Sequence, residues 1–383
     1  DFCLSRGLGD VYKRQVFERH GVIAAEASGN PVAAFRPHLS LDDCALSRLS
    51  RAGVAALHQS LERHGAYADK LAERTGLIEV ADSPGDLRRL AALAQAYSAR
   101  AGKGLGEVEL LDQHAASNKA GAALRSGGLW LREAGWVRPP ALCARWLCED
   151  QKGLPWASRI IVRRGVEVDD LRAEGGQWVV RDRDGNELAH SSVVVLANTQ
   201  TAASLAERAG GLINALLAVP GSIGRFAIDQ LPGVQCALSG AGYLLPPTAG
   251  EVIAAADYDG GPHNSNALAE LLMDCPNAVV PKFGTRSSVR YATRDHLPVA
   301  GEVPVAVSLG SKVDAPLPKI ARLPGLFVLT GYGSRGLVWS ALLAQLVAAR
   351  INGEPDPLDA ALVDAVDPAR FWRRDRLKRT ITA

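Results

Sequence analysis

The sequence predicts an α/β chain, in which a doubly wound, Rossmann-like part is combined with a part built on an antiparallel sheet. Three observations predict it. SSVVVLAN (Ser191–Asn198) is a compact β-branched run of the kind that forms a buried parallel strand. GLFVLTGYGSRGLVWSALLAQLVAARING reads as strand, glycine-rich turn and long helix, with Gly353 as the residue that stops the helix. Between them, Val219 to Ala256 holds short apolar runs broken by Pro and Gly, the pattern of an antiparallel sheet. At 383 residues the chain can hold two cores, or one large domain interleaved with a second.

The elements follow in order. DFCLSRGLGDVYKRQ (1–15) has no strand or helix periodicity and resembles translated sequencing-adapter residue, so it is set apart as a non-native leader. VFERHG (Val16–Gly21) reads as the end of a short strand closing on Glu18. From Asp42 to Ala72, Leu46, Leu49, Val54, Leu57 and Leu61 recur at the three- and four-residue spacing of an amphipathic helix. A second helix is expected over Pro84–Ala101, with Ser83 as N-cap and Pro84 at its first position. GGLWLREAGWV is strand-like and turns helical at Pro139–Pro140, running to about Cys148. IIVRRGVEV and GQWVVRD are two strand-like runs, with a turn at Gly175–Gly176. There is no internal repeat and no low-complexity segment.

Hydrophobic residues make up 47% and charged residues 22%, an ordinary balance for a globular enzyme. A net charge of +2 neither requires nor excludes a nucleic acid, because a local basic patch would be enough. The six cysteines form no CxxC pair and have no His at metal spacing, so a reducing cytoplasm is expected rather than a disulfide scaffold, and no metal site. No apolar run approaches the roughly 20 residues of a membrane span, and no signal-peptide layout is found.

The strongest chemical signal is the last strand–turn–helix. Gly331, Gly333 and Gly336 flank Ser334 and Arg335 where a strand meets a helix N-terminus, which lets the backbone approach an electron-rich ligand. An ordinary tight connection is the other reading. Glu18 ends a strand, where a doubly wound fold places the carboxylate for a ribose hydroxyl. The GxGxxG turn expected about 20 residues earlier is not found, and a surface Glu is the other reading. HExxH and GxSxG are absent, which disfavours a zinc protease and a serine hydrolase. Arg373, Arg374, Arg376, Lys378 and Arg379 could track nucleic-acid phosphates or form a solvated basic tail.

EASGNPVAAFRPHLSLDD, SVVVLANTQ, VRYATRDHLPVAG and GYGSRGLVWSALLA, in this order, resemble the C-terminal oxidoreductase domain of the bifunctional tRNA 5-methylaminomethyl-2-thiouridine biosynthesis (MnmC) family, from about Val16 onward. Glycine oxidase and D-amino-acid oxidase are the wider relatives. The resemblance implies an FAD-binding doubly wound domain (16–40, 138–205 and 286–355) interleaved with a smaller α+β substrate domain on an antiparallel sheet (41–137 and 206–285), and a basic tail (356–383). It also implies that the first strand, glycine turn and first helix lie ahead of Val16, so that this chain is expected to hold little FAD.

The resemblance further implies roles. Glu18 holds the adenosine ribose, and Ala27, Ser28, Gly29 and Asn30 pass the pyrophosphate and ribityl chain. Val168 meets the adenine through its backbone, Ala197 and Asn198 end the strand beside the dinucleotide, and Gly333, Ser334, Arg335, Gly336 and Leu337 line the pyrimidine end of the flavin. Arg290 grips a substrate carboxylate, a structural salt bridge being the alternative, and Tyr243 reaches the pocket. Arg294 and Asp295 are an internal ion pair or flavin contacts, and His296 sits in a turn before Pro298. The implied reaction is oxidative removal of the carboxymethyl group from 5-carboxymethylaminomethyl-2-thiouridine at the tRNA wobble position, with tRNA as partner and a methyltransferase fused or separate. A free glycine, sarcosine or D-amino-acid oxidase, and an inactive fragment that only binds tRNA or a partner, are the competing readings.

Overall fold

The computed structural model describes residues 14–98, 108–147, 160–257, 268, 270–273, 281–306 and 316–372. The chain divides into two compact units of nearly equal length, one formed by Asp1–Ala25, Leu147–Ala218 and Tyr291–Ala383, the other by Glu26–Trp146 and Val219–Arg290. It is a mixed α/β fold, as the strand–turn–helix pattern predicts.

In the first unit, strand Arg14–Glu18 runs parallel to Ile160–Arg164, with Glu18 opposite Arg164. The strand therefore begins two residues inside the segment set apart as a leader. IIVRRGVEV does not stay one strand: Gly165, at φ +69°, ends it, and its N–H turns to the carbonyl of His20. Asp170–Glu174, Gln177–Arg181 and Glu187–Ser191 follow as an antiparallel meander whose first turn is Gly175–Gly176. Val194–Leu196 pairs parallel with Leu326–Val328 of the strand Arg322–Thr330, which pairs antiparallel with Val299–Pro304. Of the expected buried run only Leu196 is fully buried; Val194 and Val195 are half-buried, because Val194–Leu196 stands at one side of this three-stranded sheet. Leu196, Leu205, Ile213, Leu326, Val328 and Trp178 share its core.

Helix Gly336–Asn352 is apolar on nearly every side, and Val338, Trp339, Leu342, Leu343 and Leu346 are buried. Gly353, left-handed at φ +69°, stops it. The short helix Ala360–Val366 is capped by Asp359, whose carboxylate accepts the Leu362 N–H at 3.1 Å. The chain to Trp372 is folded rather than a solvated tail, and Arg370, at 3% exposure, is its anchor. Arg370 donates to both carboxylate oxygens of Asp295 (3.1 and 3.2 Å), to the Leu297 carbonyl (2.8 Å) and to the Asp367 carbonyl (3.3 Å). The Asp367 carboxylate in turn accepts from Arg322 at 2.9 Å and from the Ala369 N–H at 2.7 Å. The basic residues Arg373–Arg379 lie outside the described residues.

In the second unit an eight-stranded sheet has the order Thr285–Ala292, Leu217–Ala227, Glu251–Asp257, Tyr243–Leu244, Ala237–Ser239, Leu77–Val80, Gly128–Leu131 and Val108–Leu111. Side-chain alternation sends Leu77, Leu129 and Leu131 to one face and Ile78, Val80 and Trp130 to the other, and both faces are buried. Helix Pro84–Ser98 covers the first face with Leu90, Leu93 and Tyr97, and Ser83 Oγ caps it by accepting the Asp86 N–H at 3.1 Å. Helix Gln113–Ala120, unexpected from periodicity, covers the second through Ala116 and Ala120; Asp112 caps its start and left-handed Gly121 its end. Helix Ala45–Arg63 is shorter than the apolar spacing suggested. Left-handed Gly65 ends it, with Gly65 N–H on the Glu62 carbonyl and Ala66 N–H on the Leu61 carbonyl, a Schellman stop.

Burial pushes the Asp295 carboxyl up, but the bonds and charge of Arg370 outweigh it and hold the group below its ordinary 3.8. The pair therefore stabilises the fold above pH 3.8, and that contribution is lost as pH falls through the lower folded value. R370M should destabilise by about 2–3 kcal/mol, since it leaves a half-buried carboxylate without its partner. The check is urea denaturation, in which the gap between wild type and D295N should also narrow as the pH is lowered below 3.8.

Candidate functional site

The residues singled out by sequence fall in both units, and each group is built on its own unit. In the first, parallel strands present their carboxyl ends, the edge at which α/β sheets bind ligands. Leu196 lies opposite Val328, so Ala197–Asn198 and the Thr330–Gly331 turn emerge at the same edge. Gly331 adopts φ +70°, and a Cβ there would stand 2.9 Å from Thr293 Cγ2, so the turn needs glycine both for conformation and for space. Ala292 bridges to Tyr332, and the Arg335 N–H closes a turn onto the Tyr332 carbonyl at 3.1 Å.

Gly333–Arg335 forms a single 3-10 turn that runs directly into the helix beginning at Gly336. No side chain caps this helix. A Cβ at Gly336 would meet nothing nearer than Tyr332 at 3.9 Å, so the backbone is open to close approach there.

The turn is held from behind. Thr293 donates to the Leu297 carbonyl at 2.6 Å, the Leu297 N–H reaches Asp295 at 3.2 Å, and His296 takes φ +59°, which is the turn expected before Pro298. Asp295 pairs with Arg370 rather than with its neighbour Arg294, which is exposed. Arg370 went unnoticed in the sequence. Its one signal was the capped apolar stretch from Asp359 to Val366 just ahead of it.

Glu18 ends its strand with one carboxylate oxygen accepting the His20 N–H at 2.8 Å; the other has no partner among the described residues. The Val166 N–H bonds the Glu18 carbonyl at 3.0 Å, which brings the segment leading to Val168 alongside Glu18, and the Val168 side chain rests on the core. Asn198 is exposed and donates to Thr201 at 2.6 Å.

In the second unit, Ala27–Gly29 is a 3-10 turn closed by the Gly29 N–H on the Glu26 carbonyl at 2.9 Å, and Asn30 follows in extended conformation. Arg290 lies on the strand Thr285–Ala292, half-buried, with a guanidinium nitrogen 3.4 Å from the Pro220 carbonyl. It lies beside Gly221, where a Cβ would meet that nitrogen at 2.4 Å. Tyr243 sits opposite Ala255 in the sheet, and its ring is half-buried against the core. Arg286, four residues before Arg290 on the same strand, was also unnoticed; it bonds Asn30.

The family model for FAD dependent oxidoreductases (DAO) matches residues 5–350. The chain belongs to the FAD-dependent oxidoreductase family. Within this family it is 32% identical to the tRNA 5-methylaminomethyl-2-thiouridine biosynthesis bifunctional protein MnmC of Cupriavidus necator, over 94% of this chain and 56% of that protein. It is 35% identical to the protein of the same name from Burkholderia pseudomallei, over 94% and 55%. The chain thus spans about half the length of the curated relatives it matches. Among solved structures it shares its fold with glycine oxidase from Geobacillus kaustophilus (TM-score 0.67, 22% identity, 91% of this chain and 90% of that one). Iminodiacetate oxidase from Chelativorans is similar at TM-score 0.67 and 18% identity, over 94% and 93%.

FAD is the cofactor of the family, and the residues present fit it: an uncapped helix start, an open backbone at Gly336 and a strand-end carboxylate with a spare oxygen. No helix among the described residues is long and apolar enough to cross a membrane, and no cluster of three metal-ligating side chains occurs among them. G331A should cost about 1–2 kcal/mol for the left-handed backbone alone and should lower the flavin-to-protein absorbance ratio of the purified full-length protein.

Proposed function

We propose that this protein oxidatively removes the carboxymethyl group from 5-carboxymethylaminomethyl(-2-thio)uridine at the wobble position of tRNA, leaving the aminomethyl form. The observation that carries the reading is its 32–35% identity, over about 94% of the chain, to proteins named for 5-methylaminomethyl-2-thiouridine biosynthesis. A cytoplasmic location goes with a tRNA substrate. Arg373–Arg379, beyond the described residues, are proposed to meet its phosphates.

The chemistry that FAD supplies when bound is acceptance of a hydride from the carbon between the amine and the carboxylate of the substrate. This chain's residues would bind and orient. Glu18 takes the ribose hydroxyl through its spare oxygen, and the Val168 backbone faces the adenine. Ala27–Asn30 follow the pyrophosphate and ribityl chain, and Ala197–Asn198 flank the dinucleotide at the strand edge. Gly333–Leu337 offer the helix-start amides to the pyrimidine end of the flavin, whose reduced form carries more negative charge.

Arg290 would grip the substrate carboxylate from its place beside Gly221, and Tyr243 would complete the pocket wall. The carbon is then fixed between an anchored carboxylate and an amine, and orientation takes the place of a dedicated acid–base pair. Water adds to the resulting substrate imine, releasing glyoxylate and the aminomethyl nucleoside.

R290M should lower kcat/KM on carboxymethylaminomethyl-tRNA about 100-fold, the loss of a charged, two-point contact, and leave bound FAD unchanged. The measurement is nucleoside mass spectrometry of treated tRNA beside peroxide release from glycine, sarcosine and D-alanine. Turnover of the free amino acids without change in any wobble uridine would make the protein an amino-acid oxidase instead.

A further inference from the structure

We infer that Arg286 is a positioning residue that locks the Ala27–Asn30 turn and sets the carboxamide of Asn30 so that its N–H2 group is what the turn offers to the cofactor. The inference rests on the flavin reading of that turn.

Strand Thr285–Ala292 alternates: Arg286, Ser288 and Arg290 share a half-buried face, while Thr285, Ser287 and Val289 face out and are exposed. Arg286 and Arg290 therefore stand on one face, about 13 Å apart along the strand. Arg290 is the proposed carboxylate grip, and Arg286 is turned to a different task. One of its terminal nitrogens donates to Asn30 Oδ1 at 3.0 Å and the other to the Glu26 carbonyl. The Glu26 carbonyl already accepts the Gly29 N–H, so the guanidinium fills its second lone pair and closes the turn from outside.

A guanidinium has donors and no acceptor, so only the oxygen of a carboxamide can face it. An Asn side chain would otherwise be free to present either end. With Oδ1 engaged, the two N–H donors of Asn30, the last residue of the turn, are left for an electron-rich acceptor atom where the ribityl chain meets the flavin, a ring nitrogen or carbonyl oxygen. The same strand would then tie the cofactor turn to the residue that holds the substrate.

Three variants of the full-length protein separate anchoring from donation. R286M should speed hydrogen exchange of the Gly29 amide at least about tenfold in the flavin-free protein and weaken FAD binding about tenfold, with R286K between it and wild type. N30D keeps an acceptor for Arg286 but replaces the donor by a negative charge. Its Gly29 exchange should match wild type, while FAD binds more weakly and the flavin reduction potential falls. Melting temperatures identify any variant that has lost its fold, and R286K, the conservative change, then carries the comparison. R286M or R286K with Gly29 exchange and FAD affinity of wild type overturns the inference, as does N30D with unchanged affinity and potential. Failure of unsubstituted protein to bind FAD would overturn the flavin reading itself, and the inference with it.

Discussion

A guanidinium that is 3% exposed must find an acceptor for its donors, and the acceptors that Arg370 finds are the two oxygens of Asp295 and the carbonyls of Leu297 and Asp367. Satisfying it shapes the segment 293–297. That segment presents Thr293 against Gly331, and Ala292 just before it bridges to Tyr332, so the backbone can reverse from the strand Arg322–Thr330 into the helix at Gly336 in five residues. The glycine turn at Gly331 thus depends on the charge pair of Arg370 and Asp295 behind it. Arg322 and Asp367 extend the pair to the start of the same strand, which holds both ends of that strand to one short C-terminal segment. Replacing buried ions by apolar groups can be neutral, but removing one partner is not.

Much of this arrangement is legible in the sequence. The strand, glycine turn and long apolar helix ending at Gly353 are local features, set by hydrophobic run length and by glycine, and the structure holds them as read. So is the Ser83–Pro84 helix start. What is not legible is whatever a distant contact decides. The apolar spacing from Asp42 to Ala72 does not reveal that the helix stops at Arg63, because Gly65 acts through backbone conformation and leaves the hydrophobic pattern intact. Gly165 cuts IIVRRGVEV in the same way. Asp112 and Gly121 did mark helix Gln113–Ala120, but QHAASNKA has no apolar stripe to draw attention to it.

Among the site residues, types were easier to recognise than partners. Asp295 and Arg294 are adjacent and of opposite sign, yet Asp295 is bound by an arginine 75 residues away. Arg286 and Arg290 differ by four positions on one strand face, and nothing in composition distinguishes the one that bonds Asn30 from the one that lies beside Gly221. The physical division is consistent throughout: local backbone demands can be read in order along the chain, whereas the assignment of each charged group to its acceptor is a property of the folded sheet.

We propose that the flavin of this protein takes its electrons from a carboxymethylaminomethyl group on tRNA. Anaerobic mixing of the oxidised, FAD-loaded full-length protein with tRNA bearing that nucleoside tests it in a single turnover. The visible flavin band is expected to bleach, glyoxylate to be released one-for-one with the flavin reduced, and tRNA lacking the group to leave the band untouched. Bleaching by glycine or sarcosine, with none by the modified tRNA, would contradict it.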